Sequence, residues 1–99
     1  MNVAVQGLTG RLTEVALGYQ EQLRQNPRHA QALVGMSLVA LASGQAEAAV
    51  KMATAAVEVA PRMGTAWVAL GQALRAAGQI ERAESAYAGA IRLLSLIHI

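Results

Sequence analysis

The chain has 99 residues, which is enough for one folded domain but too short for two independent cores. It is 55% hydrophobic, only 3% aromatic and contains 22 alanines, a composition that favours helices over strands. Because the chain has no cysteine, disulfides, zinc knuckles and thiol catalysis are excluded. Its net charge of only +2 gives no support for nucleic-acid binding.

Glycine and proline recur along the chain at a fixed spacing of 34 residues. Gly10, Gly44 and Gly78 are separated by this interval, and so are Pro27 and Pro61. Each glycine precedes a stretch with helical apolar spacing and each proline follows one. A regular period of this length indicates a repeat built from helix pairs.

Residues 1–29 are predicted to be the second half of an incomplete repeat. Gly10 would end a first helix, a second helix would run from about residue 11 to 25, and Pro27 would close the unit. The remnant of that first helix would contain Val3, Val5 and Leu8.

Residues 30–63 and 64–93 are predicted to be two further units, each made of two helices. Glu47 and Glu81 follow the turn glycines and would lie in the first turn of each second helix, where the helix dipole favours a carboxylate. In the first of these units the apolar side chains recur at helical spacing on both sides of the glycine, at Leu33, Met36, Ala40 and Leu41, then at Ala49, Met52, Ala53, Ala56 and Val57.

These residues resemble the tetratricopeptide repeat, a 34-residue helix–turn–helix unit. Residues 64–93 carry the family's small and aromatic positions at Trp67, Leu70, Gly71, Ala83, Tyr87 and Ala90, with Leu74 where tyrosine is usual. Residues 30–63 match less fully, at Leu33, Met36, Ser37, Ala40, Ala49, Ala53, Ala56 and Pro61. The resemblance implies an all-α solenoid of antiparallel helix pairs, with about two and a half repeats and five main helices.

Residues 94–99, LSLIHI, break the repeat where the family would place another proline, at Ser95. The string resembles the translation of a sequencing-library adapter, so we expect a non-native tail and a native chain that continues differently after Leu93. The alternative is a native apolar extension of the last helix.

No constellation of residues for catalysis or metal binding is evident. The glutamates are scattered over predicted helix surfaces, and neither His29 nor His98 has a partner at ligand spacing. The glycines lack the spacing of a phosphate-binding loop. We therefore expect no enzyme activity, no cofactor and no metal site.

Membrane and nucleic-acid partners are not expected either. The longest uncharged stretch, residues 29–46, is interrupted by polar side chains and is too short in purely apolar parts for a span of ~20 residues. The amino terminus lacks the features of an export signal, so we expect a cytoplasmic protein. The arginines form no basic stripe.

The resemblance implies a protein or peptide partner in a concave groove lined by the first helix of each unit. Carried onto this sequence, the mainly apolar lining consists of Gln31, Val34, Leu38, Leu41, Thr65, Val68, Gln72 and Arg75. For Val34, Leu38 and Leu41 an alternative is packing on the first helix of a preceding unit.

Two alternatives to a groove-binding scaffold stay open. The repeats could be the accessory region of a larger enzyme whose catalytic domain follows Leu93. They could also be a self-associating module, because the ends of the stack lack polar capping faces.

Overall fold

A computed structural model of the chain describes the backbone of residues 3–97 and the side chains of residues 10–95. Five α-helices follow one another, and no strand occurs within residues 3–97: α1 (Val3–Gln25), α2 (Ala30–Ala42), α3 (Ala46–Val59), α4 (Gly64–Ala76) and α5 (Ile80–Ile97). The predicted all-α fold with five helices is confirmed. The side chains of Val3, Val5 and Leu8, and the whole of His98, lie outside the described residues.

Two of the three predicted turn glycines end a helix. Gly44 and Gly78 have φ angles of +76° and +80°, in the left-handed region that glycine adopts without steric cost. After Gly44, the amide of Gln45 donates to the carbonyl of Ala40 at 2.8 Å, which satisfies a carbonyl that the end of α2 leaves free. The same geometry follows Gly78, so both units contain the same type of tight turn.

The prediction for Gly10 is wrong, because this glycine lies inside α1, which begins at Val3 and not near residue 11. A single glycine in a helix costs about 1 kcal/mol and does not by itself end it. Gly44 and Gly78 are followed three residues later by a glutamate that favours a new helix start, whereas the equivalent residue after Gly10 is Thr13. Within the described residues, α1 is therefore one continuous helix from Val3 to Gln25.

The helices form two layers. Each helix packs against its sequence neighbours, and the one further pair in contact among the described residues is α2 with α4. The layer of α2 and α4 therefore lies against the layer of α1, α3 and α5, in the nearest-neighbour arrangement of a solenoid. α5 continues beyond Leu93 through the segment predicted to be a tail, as far as Ile97.

The core between the layers is built mainly from alanine. Small side chains let helices approach closely, and the larger gaps between them are filled by a few aliphatic residues. Ser37 is fully buried, and its hydroxyl donates to the carbonyl of Ala49 at 3.0 Å, so its polar atom has a partner. The buried hydrophobic residues include Ala32, Leu33, Ala53, Ala56, Ala66, Ala69, Ala73, Leu74, Ala83, Ala86 and Ala90.

Aromatic rings lie over glycines where helices meet. The ring of Tyr19 in α1 covers Gly35 in α2, and the ring of Tyr87 in α5 covers Gly71 in α4. A Cβ atom added at Gly71 would lie 2.7–2.9 Å from three ring carbons of Tyr87. These glycines are therefore required by close packing and not by backbone conformation.

Candidate partner-binding face

α2 and α4 each expose one stripe of side chains. The two helices have the same length and are related by the 34-residue repeat, so equivalent positions lie side by side on neighbouring helices. The exposed residues are Gln31, Leu38 and Ala42 on α2, and Thr65, Val68, Gln72, Arg75 and Ala76 on α4. Their spacing of three, four or seven residues within each helix is that of one helix face.

Six of the eight residues predicted to line a groove are exposed on these stripes. Leu38 is 45% exposed and Val68 is 38% exposed, on helices whose other faces are in the core. The remaining exposed members are Gln31, Thr65, Gln72 and Arg75. Together they combine two aliphatic side chains, polar groups and one cation.

The other two predicted residues are less accessible. Val34 is only 9% exposed and belongs to a core cluster with Ala66 and Ala69 of α4. Leu41 is half-buried and packs against the cluster of Ala40, Ala49 and Ala73. Both side chains therefore contact α3 or α4. The alternative of packing on a preceding first helix concerns Val3, Val5 and Leu8, whose side chains lie outside the described residues.

Arg75 is the cation available on this face. Its side chain makes no ion pair or hydrogen bond within the described part of the chain. The ion pair that residues 10–95 do contain lies on α1, where Arg24 Nη2 is 2.6 Å from Glu21 Oε1. Hydrogen bonds from Arg24 and then from the Gln25 amide hold the pKa of Glu21 below its ordinary value.

Sequence reasoning missed the contribution of α1 to the surface. A depression of about 410 Å³ lies between α1 and the carboxyl-terminal half of α2. Its apolar lining comes from Leu12, Ala16 and Leu17 of α1 and from Val39 and Ala42 of α2. The sequence contains a signal for this surface, because Leu12, Ala16 and Leu17 are apolar residues close together on one helix, whereas the predicted groove uses first helices alone.

Among the described residues no group of three histidine, cysteine or acidic side chains is placed to hold a metal ion. His29 instead begins α2, where its Nδ1 accepts a hydrogen bond from the Ala32 amide at 3.2 Å. No helix within the described part of the chain is long and apolar enough to cross a membrane.

Comparison with known proteins supports the repeat architecture. The family model described as the tetratricopeptide repeat matches residues 40–94, which are 55 of the 99 residues and extend from the end of α2 into α5. A comparison with curated proteins found no match. Repeats of this family generally mediate protein–protein interaction and are typically non-enzymatic scaffolds. With its 34-residue helix pairs and its match over more than half of its length, the chain belongs to the tetratricopeptide repeat family.

Proposed function

We propose that the chain is a non-catalytic protein-binding module whose partner lies along the face formed by α2 and α4. The observation that carries the proposal is the exposure of Leu38 and Val68 on two adjacent helices of one layer. Exposed aliphatic side chains within a rim of polar residues are typical of protein-binding surfaces. The units at 30–63 and 64–93 each contribute one helix to this face.

The composition of the face indicates the chemistry of the partner. Leu38 and Val68 would bury aliphatic side chains of an extended segment or an amphipathic helix. Gln31 and Gln72 offer amide donors and acceptors to a peptide backbone. Arg75, which has no partner among the described residues, would pair with a carboxylate on the ligand. We therefore expect a ligand that combines aliphatic residues with at least one acidic group.

The test starts from peptides selected against the chain from a random displayed library. Binding of each selected peptide is measured by fluorescence polarisation for the wild type and for the variants Leu38→Glu and Val68→Glu. Removing one aliphatic contact and introducing a charge should weaken binding by about tenfold or more. Arg75→Ala should weaken the binding of acidic peptides by a smaller factor and leave the binding of neutral peptides unchanged.

Ile91→Glu is the matched control, because it places the same charge at an exposed aliphatic position on α5, away from this face. Peptides should bind this variant with wild-type affinity. A library that yields no binder, or binders that tolerate glutamate at both 38 and 68, would overturn the proposal. Binders lost only on Ile91→Glu would assign peptide binding to α5 instead.

A further inference from the structure

One face of α5 is apolar and exposed. Ile80 and Ile91 are 50% and 63% exposed, and they lie with Glu84 and Ala88 along one side of the helix. Another side of α5 contains the buried residues Ala83, Ala86 and Ala90, which pack towards α4. The exposed face is therefore distinct from the core and also from the face formed by α2 and α4.

The repeat shows what kind of contact this face is built for. In the 34-residue repeat, Ile91 corresponds to Val57 of α3, and Glu84 corresponds to Val50 of α3. Val57 packs in a cluster with Ala66 and Ala69 of α4, and Val50 packs against Ala73 and Leu74 of the same helix. The equivalent face of the first unit is thus covered by a helix. On α5 no described residue covers it.

The charges on this part of α5 are self-complementary in an antiparallel arrangement. Glu84 lies four residues before Ala88, and Arg92 lies four residues after it. All three are exposed, and neither charged side chain forms an ion pair within the described residues. Two α5 helices that crossed antiparallel at Ala88 would place Glu84 of each beside Arg92 of the other. The small Ala88 side chains would allow the helices to approach closely.

We propose that two copies of this chain form a two-fold symmetric dimer through the exposed face of α5. The two-fold axis passes near Ala88, and the ion pairs between Glu84 and Arg92 lie on either side of it. The Ile91 side chain of each copy is buried beside the crossing point. A symmetric contact of this kind closes on itself, so it yields dimers and not filaments. The contact leaves the face of α2 and α4 open, and it does not depend on the function proposed for that face.

The first test measures mass by light scattering over a concentration series of the full chain. The wild type should shift from the monomer mass of 10.3 kDa to twice that value as concentration rises. Ile91→Glu should weaken the association by at least about tenfold. Leu38→Glu, an equivalent change on the other face, should leave it unchanged. Circular dichroism checks that both variants keep the wild-type helix content.

The second test uses charge reversal to identify the symmetric register. Glu84→Arg alone and Arg92→Glu alone each place like charges opposite one another, so each variant should dimerise about tenfold more weakly than the wild type. An equimolar mixture of the two should recover dimers, because every pair across a mixed interface is again of opposite sign.

Three results would overturn the proposal. The first is a wild type that stays monomeric up to millimolar concentration. The second is a mixture of the two charge-reversed variants that associates no better than either alone. The third is growth of the wild type beyond the dimer mass, which would instead indicate head-to-tail contact between α5 and another helix, such as α1 of the next copy.

Discussion

Replacing Gly71 by alanine tests the packing of α4 on α5. Glycine in a helix interior is less favourable than alanine by about 1 kcal/mol, so the substitution should stabilise an isolated helix. In the folded chain the new Cβ would lie 2.7–2.9 Å from the Tyr87 ring, well inside van der Waals contact. Overpacking of this kind costs about 1–3 kcal/mol. We therefore expect Gly71→Ala to lower the free energy of unfolding by about 1 kcal/mol net.

Gly18 provides the matched control. It also lies inside a helix, α1, but a Cβ added there meets no atom within 4 Å. Gly18→Ala should therefore raise the free energy of unfolding by about 0.5–1 kcal/mol. The same chemical change is predicted to have opposite signs at two helical glycines, and only the neighbouring ring accounts for the difference.

The assay is urea denaturation followed by circular dichroism, supported by thermal melting. For a domain of this size, 1 kcal/mol corresponds to a shift in Tm of about 4–8 °C. In a Tyr87→Ala background the ring is absent, so Gly71→Ala should become stabilising. The reasoning would be refuted if Gly71→Ala raised stability in the wild-type chain, or if its effect were the same with and without the Tyr87 ring.

Three further predictions concern the core, a helix start and a surface charge. Ala83→Leu should overpack the buried contact of α5 with α4 and destabilise the chain by roughly 1–3 kcal/mol in urea denaturation; an unchanged midpoint would contradict the assigned register. His29→Ala removes the side-chain acceptor for the Ala32 amide and should lower the unfolding free energy by about 0.5–2 kcal/mol. His29→Asn keeps a side-chain acceptor at this position, so its unfolding free energy should stay close to that of the wild type. NMR titration should find the Glu21 pKa below its ordinary value, and Arg24→Ala should raise it. Because the folded-state pKa is lowered, the associated stabilisation is present at neutral pH and is lost as the pH falls through that pKa, and solvent exposure keeps it small.

The helices and their turns could be predicted from the sequence where several local signals agreed. At Gly44 and Gly78, a glycine able to take positive φ is followed by a glutamate in the next first turn, and both positions end a helix. At Gly10 only the spacing was present, and the helix continues through it. A 34-residue interval alone does not end a helix, because a lone glycine is tolerated inside one.

The candidate site could be predicted only in part, because equivalent positions in a repeat do not have equivalent neighbours. Val34 and Val68 occupy the same position of their units, yet Val34 is buried beside α4 and Val68 is exposed. Val57 and Ile91 are also equivalent positions, yet Val57 is half-buried beside α4 and Ile91 is exposed. A repeat pattern fixes which face a residue is on, whereas its exposure depends on whether another helix lies beside that face.

The position of α1 at the edge of the stack has a consequence for local dynamics. α1 packs against α2 and against no other described helix, while α4 packs against three. Detaching α1 therefore breaks one interface and leaves the contacts among α2 to α5 in place. Backbone amides in α1 should exchange with solvent deuterium through this sub-global opening, faster than amides in α3 and α4, which exchange only when larger cooperative units unfold.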